Sequence, residues 1–107
     1  MRDDRTGQIV VIFLSRRTAA DDVGYAAAAE AMESLAALQP GYRGIESARG
    51  SDGLGITLSF WADEASALRW RDHPEHAAIR DAGRDRWYSD YEVIVCAAQR
   101  SYAWTRE

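Results

Sequence analysis

The sequence predicts an α+β domain with the element order β-α-β-β-α-β, a split βαβ arrangement around a four-stranded antiparallel sheet. Three observations predict it. Four apolar runs of strand length alternate with two amphipathic stretches in that order. The first run, Ile9-Val10-Val11-Ile12-Phe13-Leu14, is apolar on both faces, yet two helices can cover only one face of such a sheet. The other face is therefore expected to meet a second copy of the chain, making a homodimer. The length of 107 residues suits a single domain, with its core running from about residue 8 to residue 104.

Residues 1–7 are charged and polar and read as a frayed start. The first strand is expected over Gln8–Ser15. A helix follows over Asp22–Leu38, where Tyr25, Ala28, Ala29, Met32, Leu35, Ala36 and Leu38 recur at helical steps and make one apolar stripe. Asp21 or Asp22 caps its N-terminus, because a short carboxylate accepts bonds from the free N–H groups there. Pro40-Gly41 ends it. Strands are expected over Tyr42–Arg49 and Leu54–Trp61, joined by a turn at Gly50-Ser51-Asp52-Gly53. In the second of these, Ile56, Leu58 and Phe60 share one face and Thr57, Ser59 and Trp61 the other. The aliphatic face is assigned to the helices, which turns Trp61 away from them. The stretch Glu64–Arg80 predicts a broken helix, capped by Asp63, with Leu68 as its clearest core residue. Pro74 interrupts it, since proline disfavours helical geometry at His73 and suits the first turn of a new segment ending near Gly83. Arg84–Asp90 is a polar and aromatic connector. The last strand is expected over Tyr91–Trp104, and Cys96 within it reads as a buried structural thiol.

Composition narrows the function classes. The net charge of −4 argues against a phosphate-backbone binder, so no nucleic-acid partner is expected. No apolar run approaches the roughly 20 residues that a membrane helix needs. The charged start has no apolar signal core, so the expected setting is cytoplasmic, without a membrane partner. All 13 basic residues are arginine, which rules out a lysine Schiff base, and one cysteine rules out an internal disulfide. There is no Gly-rich phosphate loop, no G-x-S-x-G elbow and no H-E-x-x-H, and no flavin or nicotinamide motif.

The residues left to carry chemistry are aromatic and imidazole side chains. Trp61 stands at a strand end, Trp70 on the second helix, and Trp87-Tyr88 before the last strand. A curved sheet would let the helix joint and the strand ends enclose a mostly apolar pocket for an aromatic small molecule. Packing of core and interface is the other reading of the same residues. His76 is the candidate pocket acid or base, because imidazole titrates near neutral pH, and His73 either caps the second helical segment or assists. Two histidines with no carboxylate at ligand spacing make a weak metal signal, and no metal site is expected. The pair Arg84 and Arg86 suits either an anionic substrate group or neighbouring carboxylates.

Ser59-Phe60-Trp61, then Asp63-Glu64-Ala65, then Trp70-Arg71-Asp72-His73-Pro74-Glu75-His76-Ala77-Ala78 resemble the antibiotic biosynthesis monooxygenase domain family. Pro40 to Ser47 and Tyr91-Glu92-Val93-Ile94-Val95 are similar to that family's helix-to-strand passage and ending. The resemblance implies a dimeric α+β barrel, two ferredoxin-like subunits packed sheet to sheet. Three functional readings stay open. In cofactor-independent oxidation of phenolic or quinol-type substrates by O2, His76 would be the base and His73 its substitute. Trp61, Trp70 and Trp87 would be apolar walls, Tyr42 or Tyr88 a hydrogen-bond donor, and Arg84 a substrate contact. A non-catalytic dimer that holds an aromatic molecule, such as a stress-related protein, is the second. Heme binding or degradation is the third. Trp61 matches the strand-end tryptophan of the heme-degrading branch, but the ligand position falls at Ile79 or Arg80 and the first strand has no asparagine, so His76 would have to stand in.

Overall fold

The computed structural model describes residues 4–107; Met1 to Asp3, part of the expected frayed start, lie outside the described residues. Strand β1 spans Ile9–Arg17, helix α1 Asp22–Ala37, β2 Tyr42–Arg49 and β3 Leu54–Trp61. The broken helix is two helices, α2 over Glu64–Arg71 and α3 over Pro74–Ala82. A π-helical turn, Gly83–Trp87, leads into β4 over Tyr88–Ala97. The sheet is antiparallel with the order β2-β3-β1-β4, the ferredoxin-like α+β arrangement. No helix is long and apolar enough to cross a membrane among the described residues.

The joints form where local chemistry favours them. Asp63 caps α2 by accepting from the Ser66 N–H at 2.8 Å, and His73 caps α3, with Pro74 in its first turn. Asp21 caps α1, accepting from the Gly24 N–H at 3.0 Å, and takes a left-handed backbone to do so. Asp4 to Gly7 are not frayed. The Gly7 N–H bonds the Ala98 carbonyl at 2.8 Å and the Arg5 N–H bonds the Ser101 hydroxyl at 2.7 Å, tying the two ends of the chain together.

The face assignment is reversed. Trp61 lies opposite Ile9, and Ser59 opposite Val11, and this side meets the helices. Trp61, Trp70, Ala36 and Ala67 form the buried core, with Ile9, Val11, Met32, Leu35 and Tyr42 packed against it. The physical reason is volume. The helices offer alanines and come close to the sheet, and two large indoles fill the remaining space, which branched aliphatics would not. Ile56, Leu58 and Phe60 therefore join Val10, Ile12, Leu14 and Ile94 on the face without helices. Leu68 is not a core residue: it is 41% exposed, and Trp70 points inward in its place. Leu38 lies just past α1 and is also exposed. Cys96 is exposed rather than buried, because it shares the helix-free face with Val10. The last strand ends at Ala97, since β1 begins at Ile9 and offers little beyond it to pair with; Tyr102 and Trp104 are exposed outside any strand.

Candidate functional site

At the end of the sheet where β1 begins, four rings stand in file. Tyr42 meets Trp61 edge-on, with centroids 5.9 Å apart. Trp61 stacks on Trp70 at 5.9 Å, and Trp70 stacks on His76 at 4.3 Å with planes 12° apart. Trp61 has no exposed surface, so it backs the stack from below, and its indole N–H donates to the Ser59 hydroxyl at 3.0 Å. Burial, with Glu33 nearby, raises the Tyr42 pKa, which keeps its hydroxyl a donor. Gly41 makes this junction possible. It has φ of +83°, and a Cβ there would run into the Ser66 side chain of α2.

His76 is the chemically distinctive member. Its Nδ1 lies 2.9 Å from the Trp70 carbonyl oxygen. A carbonyl only accepts, so Nδ1 carries the proton and the neutral ring keeps its lone pair on Nε2. Burial lowers the pKa of the ring, partly offset by the bond to that carbonyl. The result is a neutral imidazole of fixed tautomer, suited to accept a proton at Nε2. His73 is occupied differently: its Nδ1 accepts from the Glu75 N–H at 3.2 Å, as the cap of α3. Beside this group the helix-facing side of β4 is uncovered. Val93 and Val95 lie there 50% and 56% exposed, opposite Phe13 and Val11.

Trp87, Tyr88 and Arg84 do not join this site. The register pairs Trp61 with Ile9 but Tyr88 with Arg17, eight residues further along β1, or about 26 Å at ~3.3 Å per residue. They build a second aromatic group instead. Phe13 packs on Tyr88 at 5.3 Å and on Tyr91 at 5.2 Å, and Tyr25 meets Trp87 and Tyr88 edge-on. The Trp87 indole N–H donates to Asp21 at 3.2 Å, fastening the π turn to the start of α1. Arg84 donates to the Tyr91 hydroxyl. Burial pushes the Tyr88 pKa well up, with Tyr25 beside it adding to the rise. Arg49 locks this end by donating to the Ser15 hydroxyl at 2.9 Å and the Tyr25 hydroxyl at 3.2 Å. Sequence reasoning placed Ser59 on the Trp61 face and Tyr25 on the α1 stripe, but assigned no role to them or to Arg49. For Ser59 a signal existed: it stands two residues before Trp61, hence on the same face of one strand. Among the described residues no group of three or more His, Cys, Asp or Glu is placed to hold a metal ion.

The family model for antibiotic biosynthesis monooxygenase matches residues 8–82, more than half of the chain. The chain belongs to the antibiotic biosynthesis monooxygenase family. A Bacillus subtilis relative, the uncharacterized protein YqjZ, is 47% identical over 90 residues, covering 84% of this chain and 78% of its own. A jasmonate monooxygenase of Pyricularia oryzae is 42% identical over 40 residues, which is 37% of this chain but only 19% of that protein. Among solved structures, SnoaB, a cofactor-independent oxygenase from Streptomyces nogalater, aligns with a TM-score of 0.75 at 15% identity. That alignment covers 90% of this chain and 97% of SnoaB, a likeness of fold. The family match ends with α3, so it spans Trp61, Trp70 and His76 and leaves out Trp87 and Tyr88.

Proposed function

We propose that this member of the family is a cofactor-independent monooxygenase acting on an electron-rich phenolic or quinol-type aromatic. The observation that carries the reading is the His76 tautomer, which leaves Nε2 free to accept a proton beside the Trp70 ring. An anthrone-type phenolic substrate would lie on the uncovered layer over Val93 and Val95, with the acidic C–H of its ring CH2 at His76. His76 takes the proton, and the electron pair left on carbon reduces O2. The new C–O bond gives a hydroperoxide, which collapses to C=O and expels water with the proton returned from His76. A CH2 group thus becomes C=O at the expense of one O2, with one water released. The substrate supplies all the electrons, and the protein orients the ring and excludes water. Trp70 is the wall, Trp61 supports it, and Tyr42 braces Trp61; His73 holds α3 so that His76 meets Trp70.

The helix-free face supports a homodimer. Its aliphatic side chains are half-exposed in one chain, Ile56 at 44% and Ile94 at 38%, and a second sheet would cover them. Members of the family are typically dimers.

Oxygen uptake with a panel of hydroxyanthrones and quinols tests the reading. Wild type consumes O2 with at least one substrate, and His76→Ala reduces the rate at least 100-fold while His73→Ala retains most of it. Uptake that is unchanged in His76→Ala would refute the base assignment, and no uptake across the panel would favour a non-catalytic binder of aromatic molecules.

One observation favours a second reading. A histidine whose Nδ1 bonds a carbonyl keeps its Nε2 lone pair available to a metal, so His76 is the residue that would hold a heme group. Bound heme would supply O2 chemistry at the iron. A saturable Soret shift on hemin addition, lost in His76→Ala, would select it.

A further inference from the structure

A groove of about 560 Å³ runs along the outer side of the helix layer, between the loop after α1 and the α2–α3 joint. His76 does not line it. Its apolar part is Pro40, Leu68, Trp70 and Pro74. Leu68 is the α2 residue that the core did not take; it is 41% exposed and lines this space. The polar groups around it sort by charge. The Asp72 carboxylate is held by its own neighbour, Arg71, through bonds of 2.9 and 3.2 Å. His73 receives the Glu75 N–H on Nδ1, so the neutral ring carries its proton on Nε2 and is a donor there. Arg69 donates one N–H to the Ser66 hydroxyl at 3.1 Å and makes no ion pair within 4.0 Å among the described residues. Asp63 acts on it only at longer range and is itself bound by the Ser66 N–H. A guanidinium has five N–H donors, so Arg69 retains four.

We infer that this groove binds small organic acids, the apolar body lying on Leu68 and Pro40 and the carboxylate on Arg69. The chemistry is complementary in both parts. An unpaired guanidinium takes a carboxylate in a two-pronged contact that is stronger than a neutral hydrogen bond, and an aromatic or alicyclic body covers the exposed leucine. The volume lies in the range of small-molecule sites. A second copy on the helix-free sheet face would leave the groove open, since the two lie on opposite sides of the sheet. The inference does not rest on the oxygenase reading.

The test compares 2-naphthoate with its neutral methyl ester by calorimetric titration of the full chain. The acid is expected to bind at least tenfold tighter than the ester. Arg69→Met should remove that preference by weakening the acid alone, with its melting temperature unchanged. Arg69→Lys should restore part of it, and His76→Ala should bind the acid as wild type does. Equal binding of acid and ester would overturn the inference, as would unaltered acid binding in Arg69→Met. Loss of acid binding in His76→Ala would place the acid at the other site and overturn it too. Oxygen uptake reads the catalytic proposal separately, so failure of one is distinguishable from failure of the other.

Discussion

The His76 imidazole lies flat on the Trp70 indole at 4.3 Å while its Nδ1 donates to the carbonyl of the same residue at 2.9 Å. One residue thus supplies both the surface that desolvates the ring and the acceptor that fixes its tautomer. The pH behaviour of the protein follows. Burial holds the His76 pKa below its ordinary value near 6.5. Above about pH 6.5 the ring is neutral in folded and unfolded chains, and the stability it allows is fully present. As pH falls below that, the unfolded chain takes up a proton that the folded chain resists, and stability declines by at most about 1.4 kcal/mol per pH unit until the folded group titrates. Urea midpoints measured between pH 7.5 and 5 should show this slope, and His76→Gln should flatten it.

The Ser59–Trp61 bond is buried, so its loss should be felt in stability. Ser59→Ala leaves the indole N–H without a partner and is expected to cost about 1–3 kcal/mol. Trp61→Ala opens a cavity under the helices and is expected to cost about 3–5 kcal/mol. Chemical denaturation of the two variants checks the order.

Gly41 is required twice, by its positive φ and by its contact with Ser66. Gly41→Ala should cost more than about 1 kcal/mol. Combining it with Ser66→Gly should relieve the steric part and leave the conformational part, which a double-mutant comparison of melting temperatures resolves.

The helix-free sheet face is testable by charge. Wild type at micromolar concentration should run at twice the 11.9 kDa of one chain in light scattering. Ile94→Arg, at a position only half-covered within one chain, should give a folded monomer. A wild type that is monomeric at those concentrations would refute the sheet-to-sheet dimer.

Much of this fold was legible because its local signals agree. The helix break at Pro74, the Asp63 cap, the glycine turn after Arg49 and the period-two strands each point to the element that forms. The candidate site was legible only in part. Trp61, Trp70, Tyr42, His73 and His76 meet, but Trp87, Tyr88 and Arg84 stand at the far end of β1. Nothing local to them records the strand register that separates the two groups.

By itself the sequence determined the element order, the joints between elements and the need for a cover on a second sheet face. These depend on neighbours a few residues apart. Only the tertiary structure decided which face of β3 is inside, which histidine lies flat on Trp70 and which aromatics share a site. Both faces of β1 are apolar, so alternation defines two faces without ranking them. The choice was made by volume, two indoles filling what alanine-rich helices leave above the sheet.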